Sequence, residues 1–483
     1  MAVRVATILI VPALLGGLVT GCAELSPAPL DAAASAGALD NRTLDDPRLQ
    51  TFVRASLAGE SAPHEAISWD LTGLTLAAIY YHPDLDVARA RLALSRARVV
   101  TAEQRPNPIL NFAAVLQTAA VAGAIPPGAI PLTIGPVIDF IVETAGKREY
   151  RLGEARLLSE AATWDLATAG WQVRDGVRSA FLKLWAARHR IALIRGRRDL
   201  QAELVRLLER RLSVGEASAL DVSRERIAGT QIAVELRGFE RAADAAEAQL
   251  ATAVGVPVRA LSGIKLAFEA FAQVGKLPEG VGEGELRRRA LTGRTDIEAA
   301  LAKYEAAQSA LQLAVAGQYP DVRLGPGYNY DAGINKFSLS PTLELPVFNQ
   351  NQGQIAEAVA KRQQAAAEFT ALQARIIGAI DGALAAYRAA TRGLATADLL
   401  LADAQRREGQ VGASFRAGQV DRPTFLSAQL ETAAIGLSRF DASLAQREAI
   451  GALEDALQHP LFEPSALFSV PQTSPLFSSE PQS

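Results

Sequence analysis

Residues 343–353 read LELPVFNQNQG, and the chain continues from there to Arg422 without another proline after Pro346. Alternating apolar residues precede this proline, a polar turn follows it, and from Gln352 the apolar residues recur at the 3.6-residue step of an α-helix. At ~1.5 Å per residue, a helix from Gln352 to Phe415 is about 100 Å long. Such a helix is several times longer than an ordinary one, which predicts a structure that spans a large distance.

The same construction occurs earlier in the chain. A strand-like stretch ends near Glu143 and leads into a second proline-free helical run, which reaches Val256. The two halves match at four pairs of positions, with a shift that drifts from 212 to 203 residues: Asp84 and Asp296, Pro108 and Pro320, Ala155 and Ala360, and Gly215 and Gly418. We therefore predict a tandem duplication of about 200 residues, a period that indicates two structural halves rather than a short solenoid repeat.

Composition excludes several classes of function. The net charge of −3 does not provide the basic surface that nucleic-acid binding requires. The four histidines are scattered without metal-ligand spacing, and the sequence contains no Gly-rich phosphate loop and no nucleophile–base arrangement of a hydrolase. We therefore predict that the chain is not an enzyme and has no cofactor, bound metal or nucleic-acid partner.

The N-terminus has the features of an exported protein. Residues 1–21 contain a basic start and an apolar run, which predict a signal peptide. The segment LVTGC ending at Cys22 resembles a bacterial lipobox, in which the cysteine is lipidated; an ordinary signal with a chance cysteine is the alternative. Ala23 follows instead of the aspartate that retains lipoproteins at the inner membrane, which favours the outer membrane.

The rest of the chain divides into predicted segments. A lipidated tether occupies residues 22–65, with a short helix at 48–57. The first repeat is 66–256, with a β-hairpin at about 108–143 and long helices at about 146–254. A mixed inter-repeat segment is 257–290, and the second repeat is 291–460, with a hairpin at about 321–348 and long helices at about 351–457. The Ser, Pro and Gln content of residues 461–483 predicts a disordered tail.

The strands of both hairpins alternate apolar and polar residues. In the last two strands the apolar members are Val322, Leu324, Tyr328, Tyr330, Phe337, Leu339, Leu343, Leu345 and Val347. This alternation is typical of a membrane β-strand with one lipid face; a soluble hairpin packed on helices is the alternative. Four membrane strands cannot close a barrel, so the chain must form oligomers, and three copies would supply twelve strands. Two copies would give a barrel too narrow to conduct.

With these features in place, the chain resembles a TolC-family outer-membrane efflux protein over residues 65–460. The resemblance is carried by HPDL (82–85), by LPVFNQNQG (345–353), by the duplicated plan and by the two tip turns. It implies a mainly α-helical protein, duplicated as helix, β-hairpin and long helix. It also implies a homotrimer with a twelve-stranded outer-membrane barrel that continues into a periplasmic α-helical barrel. The implied partners are a periplasmic adaptor, an inner-membrane efflux pump and outer-membrane lipid.

The resemblance also implies roles for the tips of the helical hairpins. The adaptor-docking candidates are Arg211, Leu212, Ser213, Val214, Gly215, Phe415, Ala417 and Gly418. Exposed apolar side chains around the turns are expected at Leu212, Val214, Leu220 and Phe425. As an alternative to docking, Gly215 and Gly418 could simply be C-cap residues that end the long helices. We predict positive φ for both glycines. At the positions of the family's paired acidic gate residues this chain has Thr424 and Ser427, so the acidic pair is absent. Asp421 lies nearby, and Asp221 and Arg224 occupy the matching places in the first repeat. The possible gate comprises these five residues.

The function that follows is the outer-membrane exit duct of a tripartite efflux pump. We expect it to conduct substrates passively from the adaptor and pump to the outside. Two cargo classes stay open, heavy-metal cations and other small toxic compounds. The segment after the last strand, residues 349–353, is similar to members that serve heavy-metal efflux. The alternative is a structural coiled-coil lipoprotein that spans the periplasm without conductance.

Lipidation at Cys22 is directly testable. Cys22→Ser should abolish acyl labelling in cells, because this cysteine is the only one in the chain. The β-strands should still insert, since they supply the main membrane attachment. Metabolic labelling with a radioactive fatty acid measures the change, and labelling that persists in Cys22→Ser would contradict the assignment.

Overall fold

The structure, a computed structural model, describes residues 27–57, 67–116, 132–271, 282–331 and 333–461. The chain forms two compact units, residues 1–42 and residues 43–483. In the first unit, α1 (Ala32–Asp40) begins where the Asp31 carboxylate accepts the Ala33 and Ala34 amides at 2.8 and 3.2 Å. The sequence analysis placed no helix in this part of the predicted tether of residues 22–65, where alanines and an aspartate cap favour one.

The second unit is mostly helical. Its helices, in chain order, are α2 (Pro47–Leu57), α3 (Leu71–Tyr81), α4 (Pro83–Glu103), α5 (Lys147–Ser213), α6 (Ala219–Val254), α7 (Glu283–Gly293), α8 (Thr295–Ala316), α9 (Gln352–Arg416) and α10 (Arg422–Leu457). Two short 3₁₀ turns lie at Val258–Leu261 and Glu269–Phe271. With 67 and 65 residues, α5 and α9 are each about 100 Å long.

The two hairpins form one antiparallel sheet in the order β1 (Ile109–Leu116), β2 (Leu132–Val142), β3 (Val322–Asp331) and β4 (Ile334–Leu343). Directly paired residues share a face of an antiparallel sheet. One face pairs mostly apolar residues, for example Leu110 with Ile138 and Tyr328 with Phe337, and its exception is Asn335 opposite Tyr330. The other face carries polar pairs such as Thr133 with Asp331. The sheet is therefore amphipathic, as the alternation predicted.

The last strand is shorter than the alternation indicated. The hairpin was predicted to extend to about residue 348, but β4 ends at Leu343. Leu343 pairs with Val322, the first residue of β3, so β4 ends where its partner strand begins. Leu345 and Val347 therefore lie beyond the strand, with 70% and 69% of their surfaces exposed.

Two large apolar clusters hold the described helices together, and a small third one joins α5 to α6 through Ile194, Ile232 and Leu236. The larger one packs α3 against α5 and α6 through fully buried side chains that include Leu74, Ile79, Phe181, Leu184 and Val254. The smaller cluster joins α7, α8, α9 and α10 through Ala290, Ile297, Ile380 and Leu453. The larger cluster consists mainly of first-repeat residues but includes Phe440 and Leu444 of α10, so the repeats share part of their core.

Within the described residues, α9 alone is long and apolar enough by length and composition to cross a membrane. Much of this apolar character comes from alanine, which also suits close packing against the antiparallel α10. Length and composition therefore do not require α9 to lie in lipid.

The end of α6 gives a test of the packing. Gly255 has φ of 83°, and a Cβ there would lie 2.9 Å from the Tyr81 carbonyl oxygen. Gly255→Ala should lower the free energy of unfolding by about 1–2 kcal/mol, because it adds backbone strain and a close contact. Scanning calorimetry measures the melting temperature, with Gly238→Ala as control, since a Cβ at Gly238 in the same helix meets no atom within 4 Å. Equal melting temperatures for the two variants would contradict this reading.

Candidate functional site

The candidate site is built on two helical hairpins, the first hairpin (α5–α6) and the second hairpin (α9–α10). Their turns contain Gly215 and Gly418 with φ of 80° and 73°, which confirms the predicted positive φ. The Glu216 amide donates to the Arg211 carbonyl at 2.8 Å, and the corresponding bond in the second turn is 2.9 Å. Each of these hydrogen bonds closes a turn of six residues and satisfies a carbonyl at the end of the first helix. The backbone can therefore reverse direction in each hairpin.

Most of the predicted gate residues form caps of the returning helices. Ser218 caps α6 by accepting the Asp221 amide at 3.0 Å, and its hydroxyl donates to the Asp221 carboxylate at 2.6 Å. Asp421 caps α10 by accepting the Thr424 amide at 3.1 Å and hydroxyl at 2.6 Å. Ser427 donates its hydroxyl to a backbone carbonyl one turn earlier. Asp221, Thr424 and Ser427 thus serve local helix geometry.

Two ion pairs connect the hairpins at this end of the molecule. Arg211 of the first hairpin lies 2.7 Å from the Asp421 carboxylate of the second. Next to it, Arg422 donates twice to one oxygen of Glu203, at 2.6 and 3.1 Å. Arg224, the remaining gate candidate, is exposed and has no partner in the part of the chain that the structure describes. The structure therefore brings together one docking candidate and one gate candidate, Arg211 and Asp421.

The Asp421 carboxylate is strongly stabilised in its charged form. Hydrogen bonds from Thr424 first, and from Arg211 next, lower the pKa of Asp421 from 3.8 to about 2. A lowered pKa in the folded state stabilises the fold above the ordinary pKa, and this contribution is lost as the pH falls through about 2. The side chains of Arg211 and Asp421 are 32% and 42% exposed, respectively. Solvent therefore screens this ion pair, and its contribution to stability is small.

An aromatic pair lies beside these ions. Phe415 and Phe425 stack with ring centroids 5.6 Å apart, and the Arg422 guanidinium lies 5.7 and 5.5 Å from them. Such contacts between a cation and ring faces are attractive. The expectation that Phe425 is an open apolar side chain is wrong, because it is half-buried against Phe415 and Gly412.

The other apolar residues of the first turn are open to solvent. Val214 is 69% exposed, Leu220 is 59% exposed and Leu212 is 37% exposed. Ser213 and Ala417 are also exposed. An apolar group of this size at a helix end, rimmed by charged residues, is typical of an interaction surface.

Sequence reasoning missed Arg422 and Glu203. The pair joins residues of different repeats, and no local pattern indicates such a contact. The only signal was a basic residue directly after the Asp421 cap. Cys22 lies outside the described residues. Among the residues that are described, no group of three or more His, Cys, Asp or Glu side chains could hold a metal ion.

Known proteins share this plan. The family model described as outer membrane efflux protein matches residues 77–256 and 286–458. The Pyoverdine export outer membrane protein OpmQ of Pseudomonas aeruginosa is 26% identical over 365 residues, which cover 69% of this chain and 72% of OpmQ. The Cobalt-zinc-cadmium resistance protein CzcC of Cupriavidus metallidurans is 25% identical over 236 residues, 48% of this chain and 55% of CzcC.

A solved structure has the same fold. The outer membrane protein VceC of Vibrio cholerae superposes with a TM-score of 0.65 at 20% sequence identity. The match covers 81% of this chain and 96% of VceC. At this identity the likeness extends to the fold alone.

Proposed function

We propose that this chain, which belongs to the TolC family of outer membrane efflux proteins, is the passive exit duct of a tripartite efflux pump. The family and the fold are those of outer-membrane channels rather than enzymes. The observation that carries the proposal is the amphipathic four-stranded sheet joined to helices of about 100 Å. The amphipathic sheet suits a membrane, and the long helices suit a wide aqueous compartment.

The proposed assembly is a homotrimer. In the described sheet, β1 and β4 each pair on one side only, which leaves two edges open. Three sheets joined edge to edge would close a twelve-stranded barrel, and the long helices would continue it as an α-helical barrel through the periplasm. Cys22 would add a lipid anchor at the outer membrane.

At the far end, we assign the gate to the ion pairs between the hairpins. Arg211–Asp421 and Arg422–Glu203 hold the second hairpin against the first. Exposed ion pairs are weak and exchange readily with water, so the hairpins can separate without loss of the fold. Asp221, Arg224, Thr424 and Ser427 shape the surroundings of this gate.

Conductance in planar bilayers tests the function. Purified wild-type protein should form discrete channels, and Asp421→Asn should raise the time spent open several-fold. Asparagine keeps the helix cap but removes the charge that holds Arg211. Absence of channels in both proteins would overturn the duct and favour the structural lipoprotein.

The exposed tip of the first hairpin is assigned to adaptor docking. Residues 211–215 with Leu220, together with Phe415, Ala417 and Gly418 of the second hairpin, would pack against a helical hairpin of the adaptor. The apolar side chains of Val214 and Leu220 provide the contact area. The adaptor would in turn link the duct to an inner-membrane pump.

Val214→Glu tests the docking assignment. The charge should abolish export in cells, because it would be buried without a partner on docking. The melting temperature of the purified protein should not change, because Val214 is exposed in the free protein. Val258→Glu, at an exposed position in the 3₁₀ turn, is the control and should export normally. Full export by Val214→Glu would defeat the assignment.

Relatives point to two kinds of cargo. The name of OpmQ specifies pyoverdine export, and that of CzcC specifies resistance to cobalt, zinc and cadmium. For this chain we propose small toxic solutes or heavy-metal cations delivered by the pump. Metal and drug sensitivity of a deletion strain would separate the two classes.

A further inference from the structure

A groove of about 410 Å³ lies between α4 and α5, near the helix ends that lead to the sheet. Arg91, Leu94 and Arg98 of α4 form one side, and Arg151 and Leu158 of α5 form the other. Because the α4 arginines are seven residues apart, they project from the same face about 10 Å apart, with Leu94 between them. Two guanidinium groups therefore flank an apolar floor, in which Leu94 is 54% exposed.

One of the two acidic residues of the groove is already engaged by a lysine. The Lys303 ammonium group lies 2.9 Å from the Asp165 carboxylate. Glu154, the other acidic lining residue, has no ion pair within the described residues, since the nearby Lys361 binds Glu357 at 2.6 Å. The groove therefore keeps an excess of positive charge from Arg91 and Arg98 over this single carboxylate.

Arg91 and Arg98 themselves have no hydrogen-bonding, ionic or aromatic partner among the described residues. Arg151 differs from them, since it binds Glu143 at 2.5 and 3.2 Å. The groove therefore contains two guanidinium groups that can receive an anion and a third that is fixed in place.

This charge is confined to the first repeat. The helix ends around the groove, residues 87–105 and 147–156, contain nine basic and three acidic residues. The equivalent ends in the second repeat, residues 299–317 and 352–361, contain two of each and no arginine. The shared helical plan does not require the arginines, so their presence needs a separate reason.

The groove is linked to the polar face of the sheet through Arg151. In β2, Thr133 and Asp139 belong to that face, and Glu143 follows with the same alternation just after the strand. Arg151 ties the upper end of the groove to Glu143. In the proposed barrel the polar face lines the lumen, which places the groove in the path of the cargo.

We propose that this groove binds an organic anion that carries a carboxylate or phosphate on an apolar body, and that the duct exports this class of solute. The inference rests on the proposed duct and narrows its cargo. Guanidinium groups bind such oxyanions with paired hydrogen bonds, while Leu94 and Leu158 cover the apolar body. A bare divalent cation would be repelled by the two uncompensated arginines.

The test uses the full-length protein in phosphatidylcholine nanodiscs, with 2-naphthoate as the anionic probe and 2-naphthamide as its neutral match. Calorimetry should show naphthoate binding about tenfold or more tighter than naphthamide, the change expected for one charged hydrogen bond. Arg91→Gln/Arg98→Gln should lose this preference. The control, Arg96→Gln/Arg156→Gln, removes the same charge from α4 and α5 at positions that do not line the groove, and it should keep the preference.

The outcomes separate this inference from the proposed function. Channels in planar bilayers with equal naphthoate binding by wild type and Arg91→Gln/Arg98→Gln would overturn the groove and leave the duct intact. Absence of channels in the wild type would overturn the duct whatever the binding result. If Arg91→Gln/Arg98→Gln instead keeps the naphthoate preference and loses only phosphatidylglycerol that co-purifies with the wild type, the groove is a lipid site. The proposal that it binds an exported anion would then be wrong.

Discussion

The pairing of β2 with β3 is the constraint on which the rest of the structure depends. These strands belong to different repeats, and their ladder runs from Thr133 opposite Asp331 to Val142 opposite Val322. Because α5 follows β2 directly and α8 precedes β3, the ladder also sets these two helices side by side. The same ladder places one hairpin of each repeat in a single sheet and leaves β1 and β4 at its described edges. In lipid, such edges must be paired, so the contact that joins the repeats also forces the chain to assemble.

Below the sheet, the repeats are joined by contacts of two different strengths. Arg174 and Arg178 of α5 approach the Glu454 carboxylate of α10 at 3.7 and 3.1 Å, and all three residues are buried. Gly451 makes room for them, since a Cβ there would lie 1.9 Å from the Arg178 guanidinium. Breaking such a buried ion pair would leave an uncompensated charge in the protein interior, which is energetically costly. These pairs therefore hold α5 and α10 rigidly together. The ion pairs at the tips are exposed and weak. The molecule can therefore move at the tips while its middle stays fixed.

The sequence predicted what is determined locally. The long helices follow from proline-free runs with a 3.6-residue step, and the sheet faces follow from strict alternation. The Gly215 and Gly418 turns follow from helix-end chemistry. The α1 helix inside residues 22–65 was missed because its alanines do not form an apolar stripe. The stacking of Phe425 on Phe415, and the pairs Arg422–Glu203 and Arg178–Glu454, depend on which helices become neighbours. A pattern within one helix does not contain that information.

The duplication also shows how a structural position can acquire a second role. Ser218 and Asp421 occupy equivalent places in the two repeats, and each caps the helix that returns from its tip. Asp421 caps its helix with one carboxylate oxygen and accepts a hydrogen bond from Arg211 of the other hairpin with the second. Ser218 has a single, uncharged oxygen and cannot do both. The residue equivalent to Arg211 is Ser414, so the reverse contact cannot form. The cap is needed in both repeats because a helix start leaves its first amides without partners. The link between the hairpins is therefore one-sided, and it arises from a side-chain difference that the backbone plan of the repeats does not dictate.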